Sequence, residues 1–238
     1  MSFGELKRFT AWSFSRWTEY MLCPLKARLH HLDKIPEPSN IYLEHGTEVH
    51  DTIAKYLRCG TKTLPSHMTF PTFAVLLTSL RNTKTNIYIE EMWSFTKAWA
   101  PCEWNDWKDV WARVKLDCAK YKKSTKTMFI FDWKTGKFKP TEAAEDYHMQ
   151  LELYALAAFL KFPEVQEVRA SLVYLEALNT YDLTFTRTDL PALKQKWEER
   201  TQFMLTDTAF AARPNSKCRF CHYRASNKIN GGGQCVHG

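Results

Sequence analysis

No part of this 238-residue chain is apolar for long enough to cross a bilayer. The longest charge-free apolar stretch, around Met68 to Leu80, is short and interrupted by Pro71, so membrane insertion is not expected. The opening Met1-Ser2-Phe3-Gly4-Glu5-Leu6-Lys7 lacks the apolar centre of a secretory signal, and the chain is expected in the cytoplasm. Seven cysteines are too few in this length for a disulfide framework. Acidic side chains are in deficit: 26 Asp and Glu stand against 33 Lys and Arg, a formal net charge of +7. That balance favours a polyanionic partner, and the lysines gather at Lys120 to Lys126 and Lys134 to Lys139. What is present is a hydrophobic content of 45%, enough for one core, and residues 1–238 are read as one domain.

The most informative residues are Phe131-Asp132-Trp133-Lys134-Thr135-Gly136. From Met128 the run is apolar on both strand faces until Asp132, the pattern of a buried central strand. Side chains repeat every second residue, so Asp132 and Lys134 share a face and both need a compensating charge. Upstream, Arg113, Lys115 and Asp117 alternate with Val114, Leu116 and Cys118, which predicts an antiparallel hairpin partner through the lysine-rich turn. Paired in this way, Asp117 and Asp132 reach one Mg²⁺ or Mn²⁺, and Lys134 lies beside a water and a scissile phosphate. The bland alternative is a structural ion pair at a strand end.

Two helices frame these strands. Gly46, Val49, His50, Ile53, Ala54 and Leu57 share one face of a helix from about Glu44 to Arg58, so His50 points inward as a core histidine or a metal ligand. A run from Glu142 to Lys161 places Gln150 and Tyr154 one turn apart on one face, as polar tips of a core helix or as groups aimed at a phosphate. Elsewhere the pattern predicts a helix ending near Cys23-Pro24, a helix over Phe73 to Arg81, a strand from Asn86 to Trp99 and a strand from Val165 to Ala177. A turn at Asn179-Thr180 then leads into Tyr181 to Thr186, and a last helix follows Asp189 as N-cap and ends near Leu205. Glu91, on the first strand, is a second-tier site candidate. Cys59, Cys102 and Cys118 read as ordinary buried thiols. The tryptophans at 93, 99, 104, 107 and 111 are read as core, with some facing a single-stranded channel.

In this order, His50, Asp117, Asp132-x-Lys134 and Gln150-x-x-x-Tyr154 resemble the RecB-like branch of the PD-(D/E)XK nuclease superfamily. The resemblance runs from about Ser13 to Cys235, with Leu116 in place of proline before Asp117 and Asp132 in place of glutamate. It implies an α/β fold with a restriction-endonuclease-like core, a central mixed sheet flanked by helices in the order α-β-β-β-α-β. It further implies metal binding by His50, Asp117, Asp132 and the Trp133 carbonyl, water positioning by Lys134, and support from Gln150 and Tyr154. The activity implied is a Mg²⁺- or Mn²⁺-dependent DNA exonuclease acting on single strands or DNA ends, with a recombination or helicase partner. A DNA-binding module of low activity and an endonuclease are the alternatives. The start from Ser13 to Pro24 also resembles iron–sulfur members such as CRISPR-associated exonucleases and AddB-type nuclease domains. These imply a [4Fe-4S] cluster on Cys23, Cys218, Cys221 and Cys235, a clasp joining residues 13–30 to 210–238. The interval from Cys221 to Cys235 is longer than the usual spacing and includes Gly231-Gly232-Gly233. His222 or His237 is the alternative fourth ligand, which would favour Zn²⁺.

Overall fold

The computed structural model describes residues 7–64, 71–139, 141, 144–227 and 232–237. Glu142 and Ala143, at the predicted start of the long helix, lie outside these residues, as do Met68 and Gly231.

The strand signals resolve into one mixed seven-stranded sheet. Its strands are β1 (Trp12–Ser13), β2 (Ile87–Phe95), β3 (Pro101–Cys102), β4 (Ala112–Lys122), β5 (Thr127–Lys134), β6 (Glu167–Tyr174) and β7 (Asn179–Thr186). They lie in the order β3-β2-β4-β5-β6-β7, with β1 added to β4. The predicted hairpin forms, with β4 antiparallel to β5 from Lys122↔Thr127 to Cys118↔Phe131. β5 runs parallel to β6, so the chain needs a crossover, and the long helix supplies it.

The helices are α1 (Phe14–Leu22), α2 (Pro24–His31), α3 (Ile41–Leu57), α4 (Pro71–Arg81), α5 (Ala144–Lys161) and α6 (Leu190–Thr206). Where one helix is predicted to end near Cys23-Pro24, two meet: Pro24 needs no N–H donor at the first position of α2, so it starts the second helix. Asp189 precedes α6, but its carboxylate accepts from Thr186 N (2.7 Å) in the preceding 3₁₀ turn rather than capping α6. The turn before β7 closes earlier than predicted, on the Tyr174↔Asn179 pair, with Leu178 at φ 51°.

Each sheet face has its own apolar layer. On one, Val114, Leu116, Met128, Ile130 and Leu172 pack with residues of α1, α5 and α6. Its densest part is a tryptophan cluster in which Trp12 stacks on Trp197 at 5.1 Å and meets Trp111 edge-on at 5.5 Å. On the other face, Cys118, Trp133 and Val173 pack with Val49, Ile53, Phe73 and Leu77 of α3 and α4. Of the supposedly buried thiols only Cys118 is fully enclosed; Cys102 is half-buried, and Cys59 is exposed at a left-handed helix end (φ 61°).

Candidate metal-dependent active site

The site lies where the sheet forks. The β4–β5 ladder stops at Cys118↔Phe131, one step before Asp117 would face Asp132. Beyond that point β4 continues beside β1, through Ala112 and Arg113, while β5 continues beside β6. The parting strands leave room between them, and the two carboxylates sit at the crotch, 8% and 5% exposed.

The side-chain alternation changes phase at the same place. Leu116 and Ala119 both belong to the α5 layer, whereas Cys118 between them belongs to the α3 layer. On β2 the switch coincides with Glu90, which adopts the left-handed conformation (φ 54°). Two consequences follow for the site. Asp117 reaches toward α3, its Oδ1 3.1 Å from His50 Nδ1, while its Oδ2 accepts the Trp133 N–H at 2.8 Å. Glu90, rather than its neighbour Glu91, brings its carboxylate to this group: ligand atoms of His50, Glu90 and Asp117 all lie within 4.8 Å of one another. Glu90 also pairs with Lys115 Nζ at 2.6 Å. Strict alternation carries no sign of the kink that selects Glu90; Glu91 acts electrostatically on Tyr88.

Asp132 projects to the other layer and is met there by α5. Its Oδ1 accepts from Gln150 Nε2 (3.2 Å) and from the Tyr154 hydroxyl, which in turn accepts from Gln150 Nε2 (2.9 Å). Lys134 Nζ stands 2.6 Å from Asp132 Oδ2. That contact is ionic without hydrogen-bond alignment, so Oδ2 is a buried carboxylate oxygen lacking a hydrogen-bond donor. Trp133 contributes its N–H to Asp117 through the contact above, and its ring stacks on Phe131 at 5.9 Å. At Gly46 an added Cβ would stand 3.6 Å from Thr135 Oγ1, so α3 passes close to the end of β5 and carries His50 in, one turn further on.

The electrostatics have one sense. Burial and the neighbouring Asp132 charge push Asp117 above the usual carboxylate range, against the opposing pull of His50 and the Trp133 N–H. Burial alone would lower His50, but the hydrogen bond and charge of Asp117, with Asp132 and Glu90, raise it. Tyr154 is held well above ordinary tyrosine by burial and by both aspartates, so its hydroxyl keeps its proton. Negative charge is in excess at a buried point that also holds an orphaned carboxylate oxygen and an imidazole. Oxygen and imidazole ligands with surplus negative charge fit a divalent cation.

A second cluster of ligand-type atoms joins α1 to α2, where Glu19 meets His30 Nδ1 (3.0 Å) and His31 Nε2 (2.8 Å). Lys26 Nζ lies 3.3 Å from the same carboxylate and supplies the cation there.

The four cysteines named in the sequence come to one place. Cys23, Cys218, Cys221 and Cys235 line a single cavity of about 250 Å³, together with His237, and none is in a disulfide. Cys23 Sγ accepts from Arg213 N (3.5 Å) and Cys218 Sγ from Asn215 N (3.3 Å). His222 lies instead against Asn227, its Nδ1 3.1 Å from Asn227 Nδ2.

Residues 110–226 match the sequence profile of the PD-(D/E)XK nuclease superfamily. This segment belongs to that superfamily. It contains β4 to α6 with Asp117, Asp132, Lys134, Gln150 and Tyr154, while His50, Glu90, Cys23 and Cys235 lie outside it. Among solved structures the chain is similar to SSO0001, with 14% identity over 95% of this chain and 90% of that one, at a TM-score of 0.43. It is also similar to a phage-related exonuclease from Haemophilus somnus 129PT, with 11% identity over 76% of this chain and 92% of that one, at a TM-score of 0.31. The assignment rests on the profile match rather than on these two likenesses. No curated protein matches the chain. Among the described residues no helix is long and apolar enough to cross a membrane.

Proposed function

We propose that this protein is a metal-dependent DNA exonuclease acting on single strands or DNA ends. The observation that carries the reading is the fork. Asp117 and Asp132 are buried together with His50, and Asp132 Oδ2 lacks a hydrogen-bond donor while the Lys134 ammonium stands 2.6 Å away. His50, Asp117, Asp132 and the Trp133 carbonyl would hold Mg²⁺ or Mn²⁺, and the geometry adds Glu90 to this set. Such an ion supplies Lewis-acid charge to a phosphodiester and acidifies water. Lys134 orients the attacking water and offsets the negative charge that develops on the phosphate. Gln150 and Tyr154 fix the Asp132 carboxylate from one side, so that its other oxygen stays aimed into the fork.

The cysteine cavity is the proposed seat of a [4Fe-4S] cluster. A tetrahedral zinc centre, with Zn–S bonds of about 2.3 Å, needs sulfurs about 3.8 Å apart. Among the described residues no three of these cysteine and histidine ligand atoms lie within 4.8 Å of one another, a spacing that suits a larger group. Protein purified without air should be brown and contain iron and acid-labile sulfide; stoichiometric zinc in its place would overturn the assignment.

The activity is tested by digesting end-labelled single-stranded DNA, duplex and closed circles with Mg²⁺, Mn²⁺ or EDTA, comparing wild type with Asp132→Ala. Metal-dependent loss of linear DNA, absent in the variant, is expected. Discrete fragments from closed circles would make the protein an endonuclease. DNA binding by a folded, metal-loaded protein without hydrolysis would make it a binding module.

A further inference from the structure

A cavity of about 400 Å³ adjoins the site on the α5 side, bounded by Gln150 and Tyr154 at one end and by Arg16, Arg113, Lys115 and Ser15 at the other. Two guanidiniums face each other across it. The parallel pairing of Ser13 with Arg113 sets the first turn of α1 against β4 and so brings Arg16 beside Arg113. Among the described residues no carboxylate figures among the charges acting on either. Arg16 is lowered by burial and then by Arg113, and Arg113 by burial, with only the Cys102 thiol opposing. Arg16 spends Nη1 on Ala11 O (2.7 Å), but its Nε is buried with no hydrogen-bond partner. Two like charges held together out of water, one with an unused donor, call for an anion.

Further from the fork, Arg113 lies over the rings of Trp104 (5.4 Å) and Trp107 (4.5 Å). Trp107 is 76% exposed, an unusual position for the largest apolar side chain, whereas Trp93, Trp99 and Trp111 are buried in the core. The alternation of cation and open aromatic face is the arrangement that single-stranded nucleic acids bind, phosphate on cation and base on ring.

We infer that the Arg16–Arg113 pair binds a backbone phosphate of an unpaired substrate strand next to the scissile phosphate, and that Trp107 stacks the neighbouring base. The inference rests on the nuclease reading for the identity of the strand and deepens it by assigning its single-strand track. Lys115, half way between Arg113 and Asp117 on β4, continues the positive edge toward the fork.

The test is equilibrium binding of a labelled single-stranded oligonucleotide and its duplex in EDTA, followed by fluorescence anisotropy over a salt series, with wild type, Arg16→Gln and Trp107→Ala. Arg16→Gln should weaken single-strand binding on the order of tenfold or more and flatten the log–log salt slope by about 0.7, the loss of one phosphate contact. Trp107→Ala removes an exposed ring, leaves folding untouched, and should weaken single-strand binding on the order of tenfold while leaving the duplex unchanged. An unaltered slope in folded Arg16→Gln, or equal effects of Trp107→Ala on both substrates, overturns the inference. Hydrolysis plays no part in this assay. A protein that binds as described yet never cuts DNA sinks the nuclease reading alone; one that cuts DNA with these variants binding normally sinks the strand track alone.

Discussion

Replacing Asp117 by asparagine removes one charge from the fork with little change of shape. An asparagine carbonyl can keep the Trp133 N–H bond, now 2.8 Å, and its amide can face the His50 imidazole, now 3.1 Å from Oδ1. In metal-free protein the Asp117 anion is disfavoured by burial and by Asp132, so its folded pKa lies above the unfolded 3.8. The sign follows: the folded state binds the extra proton, and stability falls as pH rises through the raised value. At neutral pH the wild type bears the full cost of that anion, about 1.4 kcal/mol per pKa unit, and Asp117→Asn bears none. The metal-free variant should therefore melt no lower than wild type. With a divalent ion at a hundred times its Kd the order reverses. Wild type gains about 2.7 kcal/mol, which in a chain of this size raises Tm by about 5–11 °C. The variant, short of one ligand charge, should gain less than about a third of that. Thermal melting in EDTA, Mg²⁺ and Mn²⁺ reads both terms. A metal-free variant melting several degrees below wild type, or one with the full metal-induced gain, would refute the reasoning.

Tyr154→Phe removes a donor to Asp132 Oδ1 but leaves Gln150 Nε2 at 3.2 Å, so it should cost about 1–3 kcal/mol in urea unfolding. Glu152 is 1% exposed and holds Lys196 (2.6 Å) and Arg200 (2.5 Å), tying α5 to α6. Glu152→Ala strands those cations and should destabilise by about 3–5 kcal/mol by the same assay. Burial alone would raise Glu19, but hydrogen bonds to His31 and His30 and the charge of Lys26 bring it from 4.5 down to about 2. The melting advantage of wild type over Glu19→Gln should be complete above pH 4.5 and vanish as pH falls toward about 2; an advantage independent of pH would contradict this.

The part of the site that short-range periodicity specifies was legible. Asp132 and Lys134 share a face because strands repeat every second residue, and Gln150 and Tyr154 meet Asp132 together because they are one helical turn apart. The Glu90 carboxylate was hidden by a break in that same periodicity: a left-handed residue in mid-strand re-aims its side chain, and no glycine marks the place. The Arg16–Arg113 pair was hidden for another reason. Its members are separated by nearly a hundred residues, and only the two-residue β1 pairing brings them together. The tryptophans could not be sorted by spacing, since Trp107 and Trp111 are one turn apart in sequence yet lie at 76% and 8% exposure.

These features converge on α1. At its start, the Ser13 hydroxyl accepts from Arg16 N and sets the arginine facing β4; at its end, Cys23 lines the cysteine cavity. Nine residues make a rod of about 13 Å, so displacing one end displaces the other. Along the way Trp17 Nε1 donates to Arg200 O (2.9 Å) and the Tyr20 hydroxyl to Asp207 (2.9 Å), which fix α1 to the end of α6. The segment after Phe210 has no comparable means of holding itself. Among its described residues only Tyr223 is buried in the core, worth about 2–3 kcal/mol, and its hydroxyl donates to Ile35 O (2.7 Å). That is small beside about 1–2 kcal/mol for ordering each backbone residue. Ligation of a metal centre by thiols from both ends of the chain would supply the missing stabilisation. A centre in this cavity therefore has its physical role in holding α1, and with it Arg16, against the sheet, rather than in the chemistry at the fork.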